Sequence, residues 1–295
     1  MKRVLIFFLV FAALLAGCVS HTAPAPIAAT TLPVWEFTSR LCQGTQLQVA
    51  RLVTENVSCL HDYTLQVSQM RAIEEADMII MNGAGLEGFL DDVLTDARQL
   101  TDASAGITLL CPTAEHDHED HHGHNHDHTH NQDSHIWLSP KNAMDMAVNN
   151  FEALCTQYPE YASIFETNLQ ELLSDLHALQ SYGEVQLASL SCREIITFHD
   201  GFAYFTDCFG LTILEAVEEE SGSEASAQEL IHLIDLVRQH ELPAIFTEVN
   251  GSVSAASIIA AETGAAVYTL DMAMAGESYF DAMYHNIDTI KEALG

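Results

Sequence analysis

Two periodicities divide the apolar positions of this chain. Short apolar runs read as buried strands at residues 32–37, 47–53, 76–81 and 107–111, and again at 194–198, 211–217, 243–247 and 266–270. Between them, apolar residues three and four apart predict helices over 65–75, 86–97, 202–209, 227–240, 252–263 and 279–294. Ser226 with Glu229 three residues later is a capping box for the helix it precedes, and Gly264 closes another. Asn82-Gly83-Ala84-Gly85 and the acidic stretch 218–222 read as turns. Alternation of this kind predicts mostly parallel sheet covered by helices on both faces.

The middle of the chain departs from that rhythm. A helix runs from Leu138-Ser139-Pro140 to about Cys155, and Tyr158-Pro159 ends it. Beyond it, Ile164, Phe165, Leu169, Leu172, Leu173, Leu176, Leu179 and Leu187 keep helical spacing, and Gly183 is a point where this helix can bend. A helix of that length between two α/β halves is most simply a connecting strut. The expected fold class is α/β, with two doubly wound lobes: residues 31–158, a connecting helix over 159–190, and residues 191–295.

The strand–helix pattern is interrupted once more, by EHDHEDHHGHNHDHTHNQDSHIWLSP from Glu115 to Pro140. Eight of the fifteen residues from 116 to 130 are histidine: His116, His118, His121, His122, His124, His126, His128 and His130. Four more are Asp or Glu, and no apolar residue gives the run anything to bury. Imidazoles and carboxylates together predict a loop, over 115–134, that holds divalent metal weakly in many geometries. His135 stands apart because Ile136-Trp137-Leu138 follows directly and can fix it by packing. HExxH at 118–122 is chance here, since the metalloprotease motif needs a helix with an apolar face. GxGxxG at 83–88 lacks the first-strand position and the acidic partner of a dinucleotide site, so a tight turn accounts for it better.

Charge narrows the partners. With 42 acidic and 10 basic residues, a net charge of −32 argues against nucleic acid and favours a cationic ligand. At the N-terminus, Lys2-Arg3 precede an apolar stretch too short for a membrane span, and Leu15-Ala16-Gly17-Cys18 follow. This resembles a bacterial lipobox, implying a signal peptide over 1–17, a lipid on Cys18 and a Pro/Ala-rich tether over 18–30. Cys42, Cys59, Cys111, Cys155, Cys192 and Cys208 then remain in an oxidising compartment, and a Cys42–Cys59 disulfide flanking the 47–53 strand is expected. No CxxC is present, which argues against a cysteine-rich zinc site.

In doubly wound sheets, ligands bind beyond the carboxyl ends of the strands. His61 and His135 follow strands of the first half, while His199, Glu248 and Asp271 lie at strand ends of the second. If the sheets face one another these residues converge, and three imidazoles with a carboxylate suit tetrahedral zinc. Glu248 has a competing use as a helix cap, and Asp200 could orient the neighbouring ring or cap its own helix.

HDYTL at 61–65, NGAGLE at 82–87, HIWLSP at 135–140, FHDGFAYF at 198–205 and LDMAM at 270–274 resemble the metal-binding solute-binding proteins of bacterial ABC importers, the zinc-specific branch in particular. The resemblance covers residues 31–295. It implies two lobes joined by a long helix, Zn2+ in the cleft as cargo, no reaction, and an importer permease with its ATPase as partners. It assigns ligand roles to His61, His135 and His199 and a carboxylate position to Asp271, with histidine at 199 matching the zinc pattern. The chain departs from the family in lacking Glu-Pro after Tyr63 and in its many cysteines. The alternatives are the same role for manganese, iron or nickel, a zinc hydrolase using Glu248 or Asp200 as base, and a metal-dependent adhesin.

Overall fold

A computed structural model describes residues 26–55, 60, 63–91, 93–94, 99–110, 132–217, 225–249 and 251–295 of the chain. Two four-stranded sheets, each wholly parallel, organise it. The first contains β1 (Ile27–Ala29), β2 (Val49–Arg51), β3 (Met78–Met81) and β4 (Gln99–Asp102) in the order β2-β1-β3-β4. Helices α1 (Leu32–Leu41) and α2 (Val67–Glu75) alternate with its strands. A 3-10 turn at Ile136–Leu138 leads into α3 (Pro140–Gln157) and then α4 (Ala162–Gln186). The second sheet holds β5 (Glu194–Thr197), β6 (Thr212–Ala216), β7 (Ala244–Glu248) and β8 (Ala266–Leu270) in the order β6-β5-β7-β8. Its helices are α5 (Ala203–Phe209), α6 (Ala227–Gln239), α7 (Ser254–Thr263) and α8 (Tyr279–Leu294).

Central strands of a parallel sheet are buried on both faces, which is why their sequences are nearly continuous apolar runs. Successive residues nevertheless go to different cores. Ile27, Ala29, Met78 and Ile80 face one large core together with Ile195, Ala244 and Phe246 of the second sheet. The intervening Ala28 and Ile79 pack beneath α2, and Ile196 and Ile245 pack beneath α6 and α7. The large core thus belongs to both sheets, and α4 runs through it. Phe165, Leu169, Leu172, Leu176 and Leu179 recur every three or four residues and are buried. The helix continues unbroken through Gly183. A Cβ there would lie 2.3 Å from Phe209 Cε1, so glycine serves close packing instead. Among the described residues no helix is long and apolar enough to cross a membrane.

Several elements differ from expectation. Residues 32–37 begin α1 rather than a strand, because Pro33 occupies the first turn, where its missing N–H costs nothing, and buried Val34, Phe37, Thr38 and Leu41 have helical spacing. The first strand is instead Ile27–Ala29, inside the stretch expected to be tether. Over 86–97 the described residues hold only a 3-10 turn at Gly88–Leu90, since Glu87 turns inward and Gly88 is a poor helix former. Residues 107–110 are not a strand, because Gly106, at φ +79°, turns the chain out of the sheet after β4. Leu110 N–H donates to Tyr204 Oη and its carbonyl accepts from Asp133 N–H. Cys42, Cys155, Cys192 and Cys208 are free, so the expected Cys42–Cys59 bridge is absent, and burial pushes the Cys42 thiol up to about 12. Cys18, Cys59, Cys111, the histidine run and the acidic turn at 218–222 lie outside the described residues.

The 82–87 stretch is the tight turn that its glycines suggest, with Gly83, Ala84 and Gly85 all at positive φ. Its N–H groups do not await a phosphate, for Asn82 and Gly83 donate to the Glu87 carboxylate. Burial pushes Glu87 up to about 7 against the lowering effect of its hydrogen bonds from Thr30, Asn82 and Gly83. A carboxyl raised in the folded state favours folding below its ordinary value of 4.5, and that contribution is lost as pH rises through about 7. Glu87→Gln removes this group, so the variant's stability is expected to vary less with pH across that window. Urea denaturation at a series of pH values measures the difference, and parallel profiles for the two proteins would contradict it.

Candidate functional site

The cleft begins at the carboxyl ends of both sheets. Ile136, Trp137 and Leu138 are fully buried, and this packing anchors His135 just before them. Trp137 Nε1–H donates to the Met272 carbonyl at 2.7 Å, and Tyr279 Oη–H donates to the Trp137 carbonyl at 2.8 Å. Residues from the two halves of the chain therefore hold this turn between them.

His135 is 7% exposed and bound twice by one carboxylate. Asp133 Oδ1 accepts from the His135 backbone N–H at 2.9 Å and lies 2.7 Å from its Nδ1. An ionised carboxylate only accepts, so it selects the tautomer with hydrogen on Nδ1 and leaves a lone pair on Nε2. Asp133 is held in turn by Tyr204 Oη–H, which donates to its carbonyl at 2.8 Å. Asp133 Oδ2 is buried and has no hydrogen-bond partner among the described residues.

His199 comes from the other sheet, two residues beyond β5. Its Nε2 lies 3.4 Å from His135 Nε2, with the rings nearly perpendicular at 89°. Glu248, the last residue of β7, places Oε2 3.7 Å from His199 Nδ1. The sequence Asp133–His135–His199–Glu248 is therefore a line of carboxylate, imidazole, imidazole and carboxylate, with both Nδ1 atoms outward and both Nε2 atoms inward. At this separation the two ring nitrogens face each other in contact. Gly201 makes room for the approach: a Cβ there would meet Met272 Cε at 2.5 Å, His199 Cδ2 at 2.9 Å and His135 Cδ2 at 3.1 Å.

The other expected residues are placed differently. Asp271 follows β8 and is half-buried. Its Oδ1 accepts from Ala273 N–H at 2.8 Å, and its backbone is bonded on both sides by the Asn286 amide. Asp200 is half-buried beside His199. His61 lies outside the described residues, between Leu60 and Tyr63. Among the described residues no group of three or more His, Cys, Asp and Glu side chains is arranged to hold a metal ion. His177 and His232 sit on α4 and α6, bonded to the Leu173 carbonyl and paired with Glu215 respectively. Sequence reasoning missed Asp133, whose signal was its spacing two residues before the one ordered histidine.

Two parallel-sheet lobes facing across a cleft, with side chains from both meeting in it, define a two-lobed solute-binding protein. Residues 27–293 match the family model of zinc-uptake complex component A, periplasmic. The high-affinity zinc uptake system protein ZnuA of Bacillus subtilis (strain 168) is 28% identical over 280 residues, covering 91% of this chain and 87% of that protein. The zinc-binding lipoprotein AdcA of Streptococcus pneumoniae serotype 4 is 25% identical over 277 residues, which are 90% of this chain but 55% of that longer protein. A zinc-bound ZnuA deletion mutant is 27% identical, with a TM-score of 0.76 over 92% of this chain and 98% of its own. The chain belongs to the family of zinc-uptake complex component A.

The packing at Gly201 gives a test independent of any ligand. Gly201→Ala is expected to displace both rings, shift the imidazole NMR signals of His135 and His199, and cost about 1–3 kcal/mol of stability through overpacking. Unmoved signals would show that the two rings do not meet over this glycine.

Proposed function

We propose that this chain is an extracytoplasmic receptor that captures Zn2+ and delivers it to an ABC-type importer, and that it catalyses no reaction. The observation that carries the reading is the 3.4 Å separation of His135 Nε2 and His199 Nε2, from opposite lobes. Zinc–nitrogen bonds of about 2.0–2.1 Å at a tetrahedral angle place two nitrogens roughly 3.3–3.4 Å apart, so the pair stands at the bite of that ion. His61 and Asp271 complete the proposed ligand set, with Asp271 sharing its carboxylate between the metal and the Ala273 N–H. Asp133 and Glu248 stand on the Nδ1 sides of the rings, where a carboxylate orients an imidazole and raises its basicity. Asp200 is a neighbour of the site without an assigned bond to the ion.

The zinc-binding names of the relatives support this cargo, and the lipoprotein name of one supports anchoring. In the proposed arrangement residues 1–17 are removed, Cys18 carries the lipid, and residues from 18 onward lead into the fold. The permease and ATPase of the importer are the partners. The histidine run at 116–130 collects metal for the cleft.

Zinc titration by calorimetry tests the ligand set. His135→Ala and His199→Ala are each expected to abolish tight binding, while Asp133→Asn weakens it by about 10–100-fold. His177→Ala and His232→Ala should bind as wild type. A His199→Ala protein with one zinc held at wild-type affinity would overturn the assignment.

The collector and the receptor should also be separable. Ligands in an apolar-free run must each be ordered at binding, which weakens every such site, whereas His135 and His199 are fixed beforehand. Deleting 116–130 is expected to remove the weak zinc equivalents and leave the tight one. Loss of tight binding on deletion would show that the run supplies a primary ligand.

A further inference from the structure

We propose that Glu87 is a positioning residue for metal capture, acting through Asn82 to fix the peptide unit that carries His135. This rests on the zinc-receptor reading and names a residue to which that reading gives no role.

Glu87 is 6% exposed, deep at the end of the first sheet. Its Oε1 accepts from Thr30 Oγ1–H at 2.7 Å and from Asn82 N–H at 2.6 Å, and its Oε2 accepts from Gly83 N–H at 3.0 Å. Thr30 follows β1 and donates its own N–H to the Ile80 carbonyl in β3. One carboxylate therefore ties the turn to two strands. The turn is pinned from the other side as well: Ala84 N–H donates to Ser104 Oγ, and Ser104 Oγ–H donates to Asp102 Oδ1. At Gly83, φ is +83° and a Cβ would fall 1.7 Å from Asp102 Oδ1, so only glycine fits.

The anchored turn reaches the site through one side chain. Asn82 Nδ2–H donates to the Ser134 carbonyl at 3.1 Å. That carbonyl belongs to the peptide unit joining Ser134 to His135, whose N–H donates to Asp133 Oδ1. Both ends of the unit are thus bonded, the C=O by Asn82 and the N–H by Asp133. Fixing a peptide plane fixes the direction in which the next Cα projects its side chain. Asn82 Oδ1, buried, has no hydrogen-bond partner among the described residues, and Nδ2–H also donates to the Gly83 carbonyl at 3.2 Å, within the turn itself. The aim of the amide depends on the backbone that Glu87 grips.

Glu87→Gln keeps the volume but sets an amide N–H2 against donors, loosening the turn. In metal-free protein the His135 imidazole NMR signals are expected to shift while those of His177 stay put. Zinc affinity is expected to fall by about 10-fold or more, as for other groups that orient a ligand from behind. Asn82→Ala, which leaves the Glu87 anchor and removes only the reach to Ser134, should move both readouts the same way. Val237→Ala destabilises the separate core beneath α6 and α7 and should keep wild-type affinity. The proposal fails if Glu87→Gln or Asn82→Ala leaves the His135 signals and zinc affinity unchanged. It also fails if Val237→Ala loses as much affinity as Glu87→Gln at equal loss of stability. Should wild-type protein bind no zinc, the receptor reading falls, and the metal-free His135 signals still decide for or against the positioning role.

Discussion

The inner faces of the two sheets are buried against the same helices, and this shared burial decides where the polar groups at the strand ends must meet. Leu169, Leu172, Leu176 and Leu179 of α4 lie in one core with Ile27 and Ile80 of the first sheet and Ile195 and Phe246 of the second. Separating the lobes by much would expose that core and break bonds between them: Trp137 to Met272, Tyr279 to Trp137, and Leu32 N–H to the Met274 carbonyl. A frame held this way places His135 Nε2 3.4 Å from His199 Nε2. The surplus of acidic charge then acts at longer range, concentrating cations near the surface.

The two lobes use their topology differently. Strand order reverses between β1 and β3 in one sheet and between β5 and β7 in the other, the places where doubly wound folds hold ligands. In the second lobe that position presents His199 and Glu248. In the first lobe it holds Thr30 and Asn82, and Glu87 accepts the N–H groups that could have bound an anion there. Glu87 is spent on holding that turn, and the first lobe brings His135 in from the segment beyond β4. That segment is irregular backbone, and irregular backbone needs every bond accounted for, which Asn82 and Asp133 supply.

Legibility in the sequence followed the length and contrast of each element. The second lobe was readable: β5 through β8 fall within a residue or two of their apolar runs, the Ser226–Glu229 capping box is formed, and α8 has its expected bounds. The first lobe was legible only in part, since β2, β3, α2 and α3 fall at their expected stretches but β1 and β4 do not. Its β1 is three residues long behind Pro24 and Pro26, and its edge strand β4 alternates half-buried with exposed residues in a polar sequence. Tertiary packing, rather than local pattern, makes these strands. In the site, His135 and His199 were visible because each stands where a polar stretch meets a buried one. Asp133 was hidden by sameness, as one more acid in a run of acids and histidines, and only its bonds to His135 distinguish it.

Those bonds also make the two rings unequal. His135 is 7% exposed, receives a carboxylate oxygen 2.7 Å from Nδ1, and sits on a peptide unit bonded at both ends. His199 has a side chain 18% exposed, and its carboxylate neighbour stands off at 3.7 Å, beyond hydrogen-bond distance. His199 is packed over Gly201, where a Cβ would lie 2.9 Å from its Cδ2. The first lobe thus presents an imidazole whose Nδ1 is bonded by a carboxylate, the second presents one whose carboxylate neighbour lies farther off, and the two Nε2 atoms meet between them.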